Sequence, residues 1–507
     1  MKRPSRPEPA RGLILLGAAA SFLGFANPFV RLPLMVLVGP WALALLAAQA
    51  PSPRKAFTWG WLQGWLAASA SLYWIALPVH DYGYLPWVLA VPCPMLMAAV
   101  LGLYPALFCL LLHLTRQAMR PLLWGLFAGL SWTALEALRG WLFSGFPWLT
   151  MAEALVPWPL AIQSLSVIGA YGLSGVLAAC GTWLAGPGFK PRLATIFVLV
   201  ALVGHGLWAM SRPIKTDGRF NAAMIQGNVD QSAKWDPESL AGVVKEYIAL
   251  SRSVLATRPD VLIWPETALT FFVQEPSAET ALVTDFASGL GVPLVAGAPG
   301  FERHGKDTTI FNRAYLIGAH GPAAFYDKEH LVPFGEYAPF GQDIPILSAM
   351  LEGVGAFTPG THTAPLVSGR LAMGVLICYE AIFPELAQAR VEAGANVLVN
   401  ISNDAWFGRS AAPRQHLELA VLRAVEQGRF LLRATNTGIT ALVDPRGRIT
   451  SESALFQEAA VAVSDVGLIS EKTIYHRLHG LIEGLSALAA LALLIWAVLT
   501  NKRTRGA

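Results

Sequence analysis

Charged side chains are scarce in this 507-residue chain. Asp, Glu, Lys and Arg make up 14% of it, against about 25% in ordinary soluble domains. That deficit excludes a soluble globular protein. The charge that is there nearly cancels, 37 basic against 33 acidic residues for a formal net charge of +4, which leaves no electrostatic footprint for nucleic acid. Cysteine is scarcer still, with four residues. Cys93, Cys109 and Cys180 lie in apolar runs, and Cys378 stands alone in a polar stretch. Their spacing fits neither a disulfide framework nor a zinc site, and free cysteines in apolar runs pack as small hydrophobes. No nucleotide or metal motif stands out either.

Apolar residues are abundant: 54% of the chain is hydrophobic, with 17 tryptophans. Hydropathy gives candidate spans near 12–27, 30–50, 57–79, 85–114, 121–143, 158–187, 193–211 and 480–500. Each can reach the roughly 20 residues that a membrane helix needs. The basic start MKRPSRPEPAR reads as the flank of a first span, because further apolar runs follow at once and no small-residue cleavage site stands out. Arg3, Arg6 and Arg11, the segment Pro51–Lys55, Thr115–Arg120, Lys190–Arg192 and the tail Asn501–Arg505 are basic. The alternate connections, around Asn27, Val79–Tyr84 and Ser144–Pro157, carry no Lys or Arg. Eight spans with the basic connections on one side satisfy the positive-inside rule. Both termini are then expected in the cytoplasm, with the long polar block on the other side. Glu136 and Arg139 share a face of the fifth span, as a functional pair or a snorkelling structural one. Phe146-Pro147-Trp148 and Trp158 read as interfacial aromatics.

The expected organisation is therefore a seven-helix membrane domain over 1–212, an inserted α/β domain over 213–472, and an eighth helix with its tail over 473–507. Within the block, Phe220–Val229 and Val261–Trp264 read as strands flanking a helix over Pro237–Thr257. A helix near 277–290 and strands near 293–298, 311–319 and 323–327 follow. The apolar run Leu371–Ile377 ends on Cys378, ahead of a helix start at Phe383-Pro384. A strand over Asn396–Ile401, a helix over Arg414–Gly428 and short strands near 430–435, 438–443 and 459–464 complete the block. Alternating strands and helices predict a mostly parallel or mixed sheet faced by helices.

Chemistry concentrates at strand ends, where open α/β sheets place it. Cys378 would sit beside a helix start, whose dipole lowers a thiol's pKa. Glu266 follows the buried strand VLIW and reads as either a cap or a general base. Lys328, in Tyr326-Asp327-Lys328-Glu329-His330, could stabilise a thiolate and an oxyanion. His330 is an alternative partner for the thiol, and nothing in the pattern selects it. Glu380 reads as a cap two residues after the cysteine.

Taken in order, Pro265-Glu266, Tyr326-Asp327-Lys328 through Pro333-Phe334-Gly335-Glu336, and Ile377-Cys378-Tyr379-Glu380 resemble the three catalytic motifs of the nitrilase, or carbon–nitrogen hydrolase, superfamily. HLVPFGEYAPF and SNDAWFG, with the helical spans around the block, resemble its membrane-embedded acyltransferase branch. The resemblance implies an αββα sandwich with Glu266 as base, Lys328 as oxyanion and thiolate stabiliser, and Cys378 as nucleophile. It also implies supporting roles for Glu336, Tyr379, Glu380 and Trp235. The implied reaction moves an acyl chain from a glycerophospholipid to the α-amino group of a diacylglyceryl-cysteine at a lipoprotein's amino terminus, through a thioester on Cys378 and without a cofactor. A membrane-anchored amidase or nitrilase would use the same triad with water as acceptor. Two apolar connections, Thr270–Phe272 and Tyr337–Phe357, are expected to face the bilayer and gate acyl access.

Overall fold

The computed structural model describes residues 9–234, 238–305, 307–337 and 357–506. Five of its helices are long and apolar enough to cross a membrane: Trp87–Thr115, Pro121–Ser144, Leu165–Ala185, Phe189–Ser211 and Leu481–Asn501. Shorter apolar helices cover Ala10–Gly24 and Pro33–Gln49, and a 19-residue helix, Pro53–Ser71, lies between them and the rest. Two expected spans start late. The one expected at 30–50 begins with a 3-10 turn at Pro33, which leaves Arg31 outside it. The one expected at 158–187 opens as a short 3-10 turn, Pro159–Ile162, and becomes α-helical at Leu165. Pro33 and Pro159 each sit at the first position of their turns, where a missing N–H costs nothing.

All strands among the described residues lie between Gly218 and Leu468 and form two six-stranded sheets. We number them β1 Gly218–Gln226, β2 Val261–Ile263, β3 Leu294–His304, β4 Asp307–Gly318, β5 Gly321–Asp327, β6 Leu366–Ser368, β7 Leu371–Ile377, β8 Val397–Ser402, β9 Leu431–Thr435, β10 Ala441–Val443, β11 Ile449–Glu452 and β12 Ala459–Leu468. The first sheet runs β12-β1-β2-β3-β4-β5 and the second β11-β10-β9-β8-β7-β6. In each, three central strands are parallel (β1/β2/β3 and β7/β8/β9) and the flanking pairs antiparallel. The mixed sheet expected from the alternation is thus two sheets. The short edge strands β6 and β11 escape sequence reading, because three or four residues are too few to show a period.

Strand periodicity explains the layers. From β7, Met373, Val375 and Ile377 point between the sheets, where they meet Met224, Ile263 and Val295 of the first sheet. Leu376 points the other way, into a cluster with Ala387, Leu417 and Val421. The outer face of the first sheet is covered by helices Leu240–Val254 and Ala278–Leu290, through Val244, Tyr247, Val283 and Phe286. The outer face of the second sheet carries helices Pro384–Glu392 and Ala412–Gln427. Here the layering departs from a free-standing sandwich. The apolar cluster of this face continues without a break into Leu43, Phe127, Trp148 and Leu173 of the apolar helical region.

Candidate active site

The two sheets face each other so that several strands end on one side. Glu266 follows β2, Lys328 follows β5 of the same sheet, and Cys378 follows β7 of the other. All three are buried, with residue exposures of 5%, 1% and 8%. Sequence reading therefore places the three at strand ends correctly, and the structure brings them together across the sandwich.

Lys328 is held by two carboxylates. Its Nζ lies 2.8 Å from Glu336 Oε1 and 3.5 Å from Glu266 Oε1. Asn312, in the middle of β4, donates from Nδ2 to the same two oxygens at 2.8 Å and 2.9 Å. The second oxygen of Glu266 accepts the backbone N–H of Asn403 at 2.9 Å, and that of Glu336 accepts the N–H of Val332 at 2.8 Å. Burial alone would lower the lysine's pKa. Glu336, then Glu266 and Cys378, override it and hold the ammonium charged. Gly297 in β3 makes room for this corner, since a Cβ there would come within 2.6 Å of Glu266 Cα.

Cys378 occupies left-handed backbone space at φ 51°, as do Thr267 beside Glu266 at 50° and Phe334 beside Glu336 at 63°. Such angles cost of order 1–3 kcal/mol each in non-glycine residues and persist only where the surroundings enforce them. The thiol itself departs from expectation. Burial, seconded by the Glu266 carboxylate, pushes its pKa up, and Lys328 pulls it back only in part. The expected helix dipole is absent from Cys378 because a 3-10 turn, Cys378–Ile382, intervenes before the helix at Pro384. The surroundings of Cys378 thus favour the protonated thiol over the thiolate.

Glu380 is more than a cap. Its Oε2 accepts the N–H of Ile377 at 2.7 Å. Its Oε1 accepts the Tyr326 hydroxyl at 2.7 Å and the N–H groups of Glu329 and His330 at 2.7 Å and 3.1 Å. One buried carboxylate thus clamps the lysine segment to the cysteine turn. His330 is not brought to the thiol as a base. Its ring packs tilted against Phe383 with centroids 3.9 Å apart, and burial, followed by the Lys328 charge, lowers its pKa to about 4.

Three further residues support the cysteine from behind. His416 Nε2 donates to the Cys378 carbonyl oxygen at 3.1 Å. Arg433 Nη2 donates to His416 Nδ1 at 3.1 Å and to Asp404 Oδ2 at 2.8 Å, while Ser402 Oγ donates to Asp404 Oδ1 at 2.9 Å. Burial and then Arg433 lower the imidazole's pKa, against the pull of Asp404, whose Oδ1 lies 3.0 Å from His416 Nδ1. Burial would raise Asp404, but Arg433 holds it well below the carboxylate range. Cys378, Asp404 and His416 approach closely enough to suggest a metal site. The donors are already used: a carbonyl on Nε2, and a guanidinium on both the ring and the carboxylate. Asp404 lies within the SNDAWFG segment, and nothing in the pattern announces His416 or Arg433. Asn312 is a buried polar residue on an otherwise apolar strand face, a legible signal. Lys234 is another: it is buried, donates from Nζ to Thr267 O at 3.0 Å, and burial lowers it to about 7 against the pull of Glu266.

The site abuts the apolar helices directly. Tyr379 Oη donates to the carbonyl of Gly145 at 3.2 Å. Gly145, at φ 82°, has no room for a Cβ, which would fall 1.9 Å from Gly140 O. Glu136 steadies this connection by accepting the Met151 N–H at 3.2 Å and the Trp132 Nε1–H at 2.9 Å. Arg139 Nη2 lies 3.8 Å from it. Arg31, which the late start at Pro33 leaves outside the helix, pairs with Glu418. Gln415 Oε1 accepts both the Trp148 and Trp74 indole N–H groups at 2.8 Å and 3.1 Å, and its Nε2 donates to Ala26 O at 2.9 Å. Trp148 is therefore buried instead of interfacial, whereas Trp158 is exposed. Trp235 and most of the Tyr337–Phe357 connection, including Ile344, Ile346 and Leu347, lie outside the described residues.

Residues 221–471 match the carbon–nitrogen hydrolase family, and residues 18–183 match the apolipoprotein N-acyltransferase N-terminal domain. The apolipoprotein N-acyltransferase of Geobacter metallireducens is 36% identical over 498 residues, covering 95% of this chain and 94% of that protein. That of Nitrosomonas europaea is 35% identical over 451 residues, covering 87% and 88%. That of Pseudomonas putida is 34% identical over 495 residues, covering 91% and 92%.

Proposed function

The chain belongs to the apolipoprotein N-acyltransferase family, and on that premise we propose that Cys378 carries an acyl group between two substrates of the bilayer. The observation behind this is the meeting of Glu266 and Lys328 from one sheet with Cys378 from the other, in a buried site bonded to the apolar helices through Tyr379. In the first half-reaction Glu266 takes the thiol proton as sulfur attacks the ester carbonyl of a glycerophospholipid. Lys328 stabilises the oxyanion, for which a preorganised charge in a dry site is worth far more than in water. The lysophospholipid oxygen leaves with the proton from Glu266, and a thioester remains.

In the second half-reaction the α-amino group of a diacylglyceryl-modified lipoprotein attacks the thioester. Glu266 accepts the amine proton, the amide forms, and the sulfur is released and reprotonated. Splitting the transfer into two easier steps gives ping-pong kinetics. The raised thiol pKa suits this order, because proton removal by Glu266 is coupled to attack and no standing thiolate is required. Glu336 keeps Lys328 charged throughout, and Glu380 and Tyr379 fix the turn that carries the sulfur. The family resemblance implies a supporting role for Trp235 as well.

The membrane setting completes the reading. Helices Pro9–Gly24, Val38–Gln49 and Pro53–Ser71 join the five longer ones as eight spans of a bacterial inner membrane. Basic connections put both termini in the cytoplasm and the sandwich on the periplasmic side. Ile344, Ile346 and Leu347 would gate acyl access from the outer leaflet. Mass spectrometry of the protein incubated with phospholipid vesicles tests the central point: Cys378 gains one fatty acyl group, which an amine acceptor discharges. Undiminished acyl transfer by Cys378→Ala would refute it. Unchanged turnover after replacing the three apolar loop residues with Ser would remove the gate.

A further inference from the structure

A cleft of about 350 Å³ opens where helix Phe189–Ser211 hands over to β1, away from the catalytic corner. Four arginines line it: Arg212 from the span end, Arg219 from β1, and Arg446 and Arg448 from the turn between β10 and β11. Phe430 and Ile214 supply an apolar floor. Two of the arginines are compensated. Arg448 Nε lies 2.6 Å from Asp444, and Arg219 lies 3.8 Å from Asp465. Arg212 rests its guanidinium over the Trp208 ring at 5.4 Å. Neither it nor Arg446 has a carboxylate within ion-pair distance among the described residues. Arg446 is half-buried, its backbone pinned by Gln163 at 2.8 Å. Burial and the neighbouring Arg448 both disfavour its charge, against the pull of Asp444. A guanidinium fixed in that position gains from an anion.

The location says where the anion comes from. The cleft lies at the end of an apolar helix, and Trp208, beneath the Arg212 guanidinium, is 57% exposed. Exposed tryptophans at a span end mark the headgroup level of a bilayer. We propose that Arg212 and Arg446 bind the phosphate of an anionic phospholipid headgroup drawn from the surrounding leaflet, its acyl chains lying along helix Phe189–Ser211. Arginine's planar fork matches phosphate oxygens in pairs and is weakly hydrated, so it suits a half-buried phosphodiester better than lysine. A cleft of this size takes one such headgroup. With Arg448 and Arg219 compensated by Asp444 and Asp465, the surplus positive charge is that of Arg212 and Arg446, which favours phosphatidylglycerol over a zwitterionic lipid that would bring its own ammonium. The site rests on the proposed membrane orientation but not on the acyl-transfer chemistry.

The test uses the full chain in detergent, incubated with equal amounts of phosphatidylglycerol and phosphatidylcholine, and counts retained lipid by native mass spectrometry. Acyl transfer is measured on the same samples, so a failure of the catalytic reading shows separately. One phosphatidylglycerol per chain should be retained. Arg212→Gln/Arg446→Gln should weaken retention at least tenfold, about the effect of losing a charge-assisted hydrogen bond, with acyl transfer unchanged. Should the double variant unfold, raising the salt concentration on the native chain replaces it, and retention should fall steeply. Equal retention of phosphatidylcholine, retention by the double variant, or indifference to salt overturns the proposal. Displacement of the lipid by millimolar inorganic phosphate overturns it too, by making the cleft a free-phosphate site.

Discussion

The support behind the nucleophile gives the sharpest expectation. Cys378 sits at φ 51°, and its carbonyl is fixed by His416 at 3.1 Å. Replacing His416 by Phe fills the same volume but removes the donor to that carbonyl and the acceptor for Arg433. The lost hydrogen bond is worth roughly 0.5–1.5 kcal/mol. The strained turn it helps enforce stores of order 1–3 kcal/mol that relaxation would release. If about 1–3 kcal/mol of this appears in the barrier to acylation, the rate falls about five- to 150-fold. The assay is single-turnover formation of the acyl-enzyme with excess phospholipid, followed by mass spectrometry, alongside thermal unfolding. His416→Gln, whose amide N–H reaches the position of Nε2, should recover most of the rate. A Phe variant that acylates within twofold of the native chain would refute the argument. So would a Gln variant no better than Phe, since the effect would then come from packing.

Lys328→Met would leave Glu266 and Glu336 facing each other around Asn312 without a cation; we expect no acylation and a stability loss of roughly 3–5 kcal/mol, read by chemical denaturation. The buried Cys378 thiol should alkylate slowly with iodoacetamide at pH 7 and faster as pH rises beyond the ordinary thiol range; a plateau below pH 7 would contradict its raised pKa. His330 is depressed from 6.5 to about 4, so the unfolded chain binds its proton more readily and stability falls as pH drops through that window. The loss amounts to about 3 kcal/mol at most, and His330→Phe should flatten the slope of Tm against pH there. Gln415→Leu strands two indole N–H groups and the Ala26 carbonyl, and should lower stability by about 2–4 kcal/mol without touching the thiol.

Sequence patterning reaches far into this molecule where a period or a strand end carries the signal. The strands that end on Glu266, Lys328 and Cys378 can be read from local sequence, and the strand-end positions of the three residues follow from them. Apolar runs likewise mark the helical region, though Pro33 and Pro159 delay two helices that hydropathy would start earlier. What remains hidden depends on pairs distant in sequence. The division into two sheets rests on which strands pair, and His416 and Arg433 reach the cysteine from a helix and a strand whose local patterns are unremarkable. Trp148 looks interfacial among aromatic neighbours until Gln415, more than 250 residues on, turns out to accept its indole N–H. The raised thiol pKa is a matter of burial, which the residues around Cys378 in sequence do not reveal.

Helix Ala412–Gln427 has a consequence for how the protein is made. Every residue in it but Arg414 is buried. Its polar side chains find their partners in segments synthesised long before: Gln415 on Trp74 and Trp148, Glu418 on Arg31, and Glu426 on the Ala170 N–H at 2.8 Å. A sandwich that forms as the chain is made therefore completes the outer layer of its second sheet against helices that precede it in sequence. A chain cut to the sandwich alone would leave this helix with an apolar flank and unpaired polar groups facing water. Co-expression of the two halves as separate chains should restore what neither achieves by itself.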